Sequence, residues 1–494
     1  MKLRTWTLAA LLSGLSCACA AQSVTTYHNS LTRHGDYVVP GLTLAAAAGM
    51  QRDTKFSAKL DGHIYAQPLY WSAPGSKGGE LIVATESNHV YALSAKTGAI
   101  IWDRKLKASV PLSSLPCGNI NPSGITGTPA IDPSSGTVYF DALTNGKAGP
   151  RQLVYALSLA DGSIVSGWPV DVQAELAKQG VTFSSPTQGE RSAALLFKGY
   201  LYINYGGNWG DCGSYNGTVV QLQTSTPKIV GHWATRANGG GIWAQGGIAG
   251  DGESLFVTTG NTFNAGSWSG GEAILRLKPG LAWSDKTKDY FTPSNWQQLD
   301  EKDQDLGGTE ALPLDVAVSG GAPAKRVIAF GKDGNAYLAD RTNLGGVGSG
   351  LATTRVSNSA IITAPAVYQT KAAAMVAFTN SSGGNCSGNN LSMLDVAAGG
   401  SSPISVAWCQ SFSGGGAPII TTTDGKSNAI AWVVGAEGDN LLHGFNALTG
   451  EPVFSGNGES MSGLHHFVTI LAAEKHFYIA ADGTIYAFSF GHSN

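Results

Sequence analysis

The stretch that decides the fold is Glu80–Leu106, ELIVATESNHVYALSAKTGAIIWDRKL. Three short runs in it suit β-strands. Leu81–Thr85 is apolar and partly β-branched, Val90–Ser94 is a second such run, and Ile100–Lys105 mixes Ile and Trp with charged residues. Between them, Glu86-Ser-Asn88 and Lys96-Thr-Gly98 are turn residues that accept left-handed backbone or bend on their own side chains. Gln67–Trp71 supplies a fourth strand just upstream. Four antiparallel strands in about forty residues cannot bury both faces of their sheet, so a chain that repeats the unit must stack the copies, as propeller blades do.

The third-strand position recurs at Tyr91, Tyr155, Val220, Ile274, Tyr337, Ser392, His443 and Tyr486. The expected fold is all-β: a single eight-bladed β-propeller of four-stranded antiparallel blades over residues 54–490. The last unit ends at Phe488-Ser-Phe490 without an outer strand. Lys55–Leu60, ahead of the first unit, is expected to supply it and close the ring, because closure leaves only short protected edges. A sandwich with long loops is the competing architecture.

Charged residues are 13% of the 494 in the chain, about half the usual share, and 66 residues are glycine. That balance suits a turn-rich, extracytoplasmic chain. A net charge of −3 without a basic cluster argues against a nucleic-acid partner. Met1–Arg4 is basic, Thr7–Leu15 apolar, and Ala18-Cys-Ala20 a small-residue cleavage site. Together they predict a signal peptide over residues 1–20 and a secreted or periplasmic protein; the apolar stretch is too short to span a membrane. Cys17 and Cys19 raise a lipoprotein reading, but Gly14 and Ser16 stand where an aliphatic residue is expected. Residues 21–53 are read as an extension across one face of the ring, with a helical turn within Leu42–Met50.

Removal of the leader leaves Cys117, Cys212, Cys386 and Cys409, and an oxidising compartment suggests two disulfides. Cys386 and Cys409 fall on neighbouring strands of one blade, so they are expected to pair, leaving Cys117 with Cys212. The histidines show no ligand spacing, and no zinc site is expected.

The pattern Ala92-x-Ser-Ala-x-Thr-Gly98-x-x-x-Trp102 resembles the tryptophan-docking repeat of quinoprotein dehydrogenases, which hold pyrroloquinoline quinone (PQQ) and calcium in an eight-bladed propeller. A stretched copy runs from Ala156 to Trp168, another from Phe445 to Phe454, and Lys332–Arg341 resembles the family's strand-turn ending in Leu-Asp-Arg. The resemblance implies site residues. Gly241-Ile-Trp243 and Thr259-Gly-Asn261 match the segments whose Trp stacks under the quinone and whose Asn ligates calcium. Asp305 falls where the family has its catalytic base, and Lys332 where it has the cation facing the quinone oxygens. Asp211, in Gly207-Asn-Trp-Gly-Asp211, stands in for a calcium-binding glutamate. Each has a plainer reading: Trp243 as ring packing, Asn261 as a turn cap, Asp305 as part of a solvated acidic run with Asp300, Glu301 and Asp303, and Lys332 as an exposed turn lysine.

The departures are specific. The family's adjacent cysteine pair is replaced by Cys117-Gly118, the nearby arginine has no counterpart in Asn119–Ile125, and Tyr65 stands in place of a glutamate. No c-type haem motif occurs, so electrons would need an external acceptor. Two functions follow. One is a divergent quinoprotein oxidoreductase acting on an alcohol or sugar. The other is a non-catalytic propeller binding a protein or polysaccharide in the cell envelope.

Overall fold

The computed structural model describes residues 23–491 except 77, 349, 382–385 and 387. The leader read at residues 1–20 lies outside the described residues. Eight sheets follow one another in chain order, each built on three consecutive antiparallel strands with a fourth antiparallel strand at the rim, which follows in the chain for seven blades and comes from the N-terminal segment in the last. In blade 1 these are Leu69–Trp71, Glu80–Ala84, His89–Ser94 and Ile100–Lys105. All eight expected third-strand residues fall on the third strand of a different blade. Burial explains why that strand was the most legible. His89–Leu93 are buried throughout, whereas Ile100–Lys105 on the rim is exposed or half-exposed along its length.

Neighbouring blades are locked by tryptophans. The Trp102 indole N–H donates to Leu159 O of blade 2 at 2.9 Å, and Trp408 of blade 6 donates to Ala447 O of blade 7 at 2.9 Å. The receiving turns need glycine: Gly162 and Gly450 have φ of +67° and +76°, and a Cβ on either would meet the incoming indole within 3 Å. Tyr478 makes the equivalent contact across the seam, its hydroxyl donating to Ala95 O at 2.8 Å.

The ring closes through an N-terminal strand, but not the expected one. Gln51–Arg52 pairs antiparallel with Phe488 and Ser489 of blade 8, and Asp53 N–H extends the ladder to Ala487 O. Lys55–Leu60 forms no strand because its bonds diverge. Ser57 N–H donates to Thr97 O of blade 1 and Leu60 N–H to Gly483 O of blade 8, so the segment bridges the seam instead of pairing with one edge.

Residues 24–35 run through the middle of the ring and bond to all eight blades. Val24 pairs with Tyr70; Ile131, Gly250, Val367 and Ile420 donate their N–H groups to Thr25, Leu31, His34 and Gly35 carbonyls; Arg33 reaches Ala194, His34 reaches Pro313, and His28 reaches Thr469. The innermost strand of every blade is a sheet edge, and the belt takes up N–H groups of five of these edges and bonds carbonyl or hydroxyl oxygens at the other three. Arg33 is fully buried, with Nε donating to Ile248 O at 3.1 Å, Nη1 to Tyr27 O and the Thr26 hydroxyl, and Nη2 to Ala194 O. Downstream, Asp36–Val38 adds a parallel strand to blade 7, and the expected helical turn is Leu44–Ala48, capped by the Thr43 side chain. No helix among the described residues is long and apolar enough to cross a membrane.

Candidate functional site

The segments leading into the inner strands leave a second level of the central channel open. It holds a cavity of about 550 Å³ to which Trp243, Asn261, Asp305, Lys332 and Asp211 all contribute, together with Arg191. The five residues expected from sequence therefore meet in one place.

Asp305 is its hub. The side chain is 2% exposed. Oδ1 accepts the Asn261 backbone N–H at 2.8 Å, while Oδ2 accepts the Trp243 indole N–H at 2.9 Å and lies 2.9 Å from Lys332 Nζ. The approach depends on glycine, since a Cβ on Gly260 would lie 2.8 Å from the Asp305 carboxyl carbon, and one on Gly307 would lie 2.7 Å from the Thr259 carbonyl carbon. The acidic run around it is not uniformly solvated. Asp300 accepts the Thr262 N–H and hydroxyl, both at 2.8 Å, Asp303 sits in a left-handed helix cap at the exposed edge of the cavity, and Asp305 is buried within it. Burial pushes the Asp300 carboxyl up to about 6.

Lys332 is not a free turn lysine. Its N–H donates to Asp305 O, its ammonium bridges Asp303 and Asp305, and it lies 5.1 Å from the Trp243 ring centroid. Burial alone would favour the neutral amine, but the two carboxylates outweigh it and hold the ammonium above its ordinary range. Behind Asp305, the Glu272 carboxyl is pushed well up by burial and by the Asp305 charge; Oε2 accepts the Leu306 N–H and Oε1 has no partner.

Two polar groups face the cavity with hydrogen-bonding capacity to spare. The Asn261 side-chain amide, in a residue only 6% exposed, makes no hydrogen bond among the described residues. Arg191 donates only from Nη2, to Gly207 O at 3.1 Å. On the far wall, Asp211 Oδ1 accepts the Tyr215 hydroxyl at 2.7 Å, and burial raises both groups from their ordinary values. This loop is tethered by the Cys117–Cys212 disulfide, with Cα atoms 6.0 Å apart; Cys386–Cys409 is the second, at 6.1 Å. Both pairings are those expected from sequence.

Sequence reasoning missed Arg191, Tyr215 and Glu272. The arginine sought in Asn119–Ile125 is absent there, and Arg191 enters the cavity from the approach to blade 3 instead. No local signal marks it, because Gly189-Glu-Arg191 reads as an ordinary loop.

Residues 50–165 match a family model described as outer membrane protein assembly factor BamB. No curated protein matches the sequence. Among solved structures, the chain resembles the quinohemoprotein alcohol dehydrogenase of Comamonas testosteroni with a TM-score of 0.68 and 13% identity, over 94% of this chain and 80% of that one. A europium-containing methanol dehydrogenase gives 0.65 and 13%, over 94% and 98%. BamB from Moraxella catarrhalis gives 0.53 and 15%, over 89% and 100%. The fold is thus that of a PQQ-like β-propeller, shared by dehydrogenases and an assembly factor alike.

Proposed function

We propose that this protein is a divergent quinoprotein-like oxidoreductase of the secreted or periplasmic space, whose cavity binds a flat, anionic quinone of the PQQ class. The observation that carries the reading is the Asn261 amide, which has no protein partner, and the Arg191 guanidinium, which uses one donor only, set beside the pinned indole of Trp243. An amide and a guanidinium that line a cavity with hydrogen-bonding capacity to spare are open to a ligand that can use it. The Trp243 indole suits an aromatic ligand, and Arg191 with Lys332 suits carboxylate or quinone oxygens. A cavity of about 550 Å³ is in the range of small-molecule sites.

Calcium does not fit the same arrangement. Asn261 and Asp211 reach the cavity, but both Asp305 oxygens are committed to N–H donors and Lys332. Among the described residues no three His, Cys, Asp or Glu ligand atoms gather within the cavity, whereas calcium takes six to eight oxygens. The Lys332 ammonium lies 2.9 Å from Asp305 Oδ2, so a divalent cation on that oxygen would have to displace it.

When bound, such a quinone supplies a two-electron acceptor for an alcohol or aldose. The chain's own part is to orient and to move a proton. Trp243 and Asn261 fix the Asp305 carboxylate, and Lys332, bridging to Asp303, is the donor able to swing away and free Oδ2 for a substrate hydroxyl proton. The test is to reconstitute the purified protein with PQQ and assay alcohols and aldoses with an artificial electron acceptor. Turnover that falls by roughly a hundredfold or more in Asp305→Asn, the scale of general-base catalysis, supports the reading; no turnover with any substrate overturns the enzymatic half of it.

The second reading, an envelope scaffold binding a protein or polysaccharide, draws on the saturated Asp305 network, which resembles a structural ion-pair cluster, and on the assembly-factor match over residues 50–165.

A further inference from the structure

Where the ring closes, three segments far apart in sequence meet. His63 precedes blade 1, His465 precedes blade 8, and Asp482 lies in the turn between the second and third strands of blade 8. His63 Nδ1 lies 2.9 Å from Asp482 Oδ1 and His465 Nε2 2.7 Å from the same oxygen, and all three ligand atoms fall within 4.8 Å of one another. From these residues we propose a site for a divalent first-row transition ion, zinc in class, held by two imidazoles and one carboxylate at the seam of the propeller.

The backbone fixes the geometry before any ion arrives. Asp482 N–H donates to Gly463 O at 2.9 Å, Gly483 N–H to Gly62 O at 3.1 Å, and Glu86 N–H to His63 O at 3.0 Å, so the three segments are stitched together immediately beside the ligands. Close approach is built in: a Cβ on Gly463 would lie 2.9 Å from Asp482 Cβ, and Gly463 has φ of +72°. The His465 ring is held by Tyr65, stacked at 4.2 Å and 20°.

A plain His–Asp ion pair does not account for the cluster. Both imidazoles crowd one carboxylate oxygen, and only His465 makes a hydrogen bond to it. His63 Nδ1 is shielded from water and, although 2.9 Å from Asp482 Oδ1, lacks hydrogen-bonding alignment with any group. A buried ring nitrogen facing a carboxylate and a second imidazole is a ligand set without its centre. Two nitrogens and one oxygen suit zinc-type ions and disfavour calcium or magnesium, which take oxygen donors. The three side chains are partly exposed, at 44%, 19% and 34%, so water can complete a tetrahedron. No sequence spacing announces the site, because its ligands are brought together only by closure of the ring. It is independent of the PQQ reading and takes up none of that cavity's central groups.

The test is titration of tag-free, chelator-treated protein with Co2+ in the absence of any quinone, followed by its visible absorption, with Zn2+ as competitor and melting temperature as a second readout. The expected result is one ion per chain with tetrahedral-type bands, displacement by Zn2+ and a higher melting temperature. His63→Ala, His465→Ala and Asp482→Asn should each weaken binding by more than roughly tenfold, the scale on which even outer-shell changes act. His476→Ala, which removes a histidine whose ion pair is with Asp53 and not with Asp482, should leave it unchanged. His63→Ala is the safest variant for folding because that side chain is the most exposed of the three. Absence of stoichiometric Co2+ uptake by the unmodified protein, or uptake undiminished in folded His63→Ala, overturns the proposal.

Discussion

The two levels of the central channel handle buried polar groups in opposite ways. At the belt, Arg33 is fully buried and spends three nitrogens on three carbonyls and a hydroxyl, and the edge N–H groups of Ile131, Gly250, Val367 and Ile420 are met by carbonyls within residues 25–35. At the cavity, Arg191 uses one of its nitrogens, the Asn261 amide uses none, and Asp305 receives three donors. An arginine answered from within acts as structure, whereas one with donors to spare is suited to something from outside, although the belt also holds a Tyr27 hydroxyl and a His28 Nδ1 without partners. The contrast separates scaffold from site within one ring, although both levels are built from the same eight repeats.

The comparison can be broken or sharpened by substitution. The largest effect is expected at the belt. Arg33→Met leaves several buried carbonyls unpaired and removes the positive charge facing Glu310, and should cost about 3–5 kcal/mol in urea unfolding. Arg191→Met, which loses one bond to Gly207 O, should cost about 1 kcal/mol or less. Equal losses at the two arginines would erase the distinction. Next comes blade docking: Trp102→Ala removes a half-buried indole and its bond to Leu159 O and should cost about 3 kcal/mol, reported by a lower urea midpoint.

A smaller effect is carried by pH. Burial pushes the carboxyls of Glu86, Asp141 and Glu310 each up to about 7. A carboxyl whose folded value lies above its unfolded one favours the protonated native state, so its contribution falls as pH rises from the unfolded value through about 7. His28, held neutral by burial at about 3, opposes this by costing stability as pH falls below its ordinary range. Asp300, Glu190 and Glu272 are raised as well, against the two lowered imidazoles of His28 and His34, so stability should decline between about pH 5 and pH 7, and Glu310→Gln should flatten that decline. A rise over the same interval would contradict the assignment. The smallest change is expected for Asn261→Ala. Its amide has no protein partner, so the melting transition should stay within about 0.5 kcal/mol of the parent while ligand binding falls.

The fold was legible because the third strand of each blade is buried along its length and preceded by turn residues, as at Val90–Leu93 after Glu86-Ser-Asn88. The closing strand was misplaced by a few residues. Lys55–Leu60 looks like Trp102–Leu106, but strand formation is decided by which edge accepts the hydrogen bonds, and that edge is Phe488–Ser489. Trp408 escaped the docking pattern because the turn before it, Val396–Gly400, carries no Thr-Gly. At the site, Trp243, Asn261, Asp305, Lys332 and Asp211 were readable from motif resemblance and do share a cavity. Arg191, Glu272 and the pair His63 and His465 were not, since each gains its meaning only from neighbours supplied by other blades.

The most direct test of the central claim is calorimetric titration of the purified protein with PQQ, with and without calcium, alongside Arg191→Met and Asn261→Ala. The account predicts saturable binding of one quinone per chain, little changed by calcium and weakened in both variants without loss of fold. No binding, or binding indifferent to both substitutions, would mean that the open level of the channel is not a quinone site and that the repeats serve as scaffold alone.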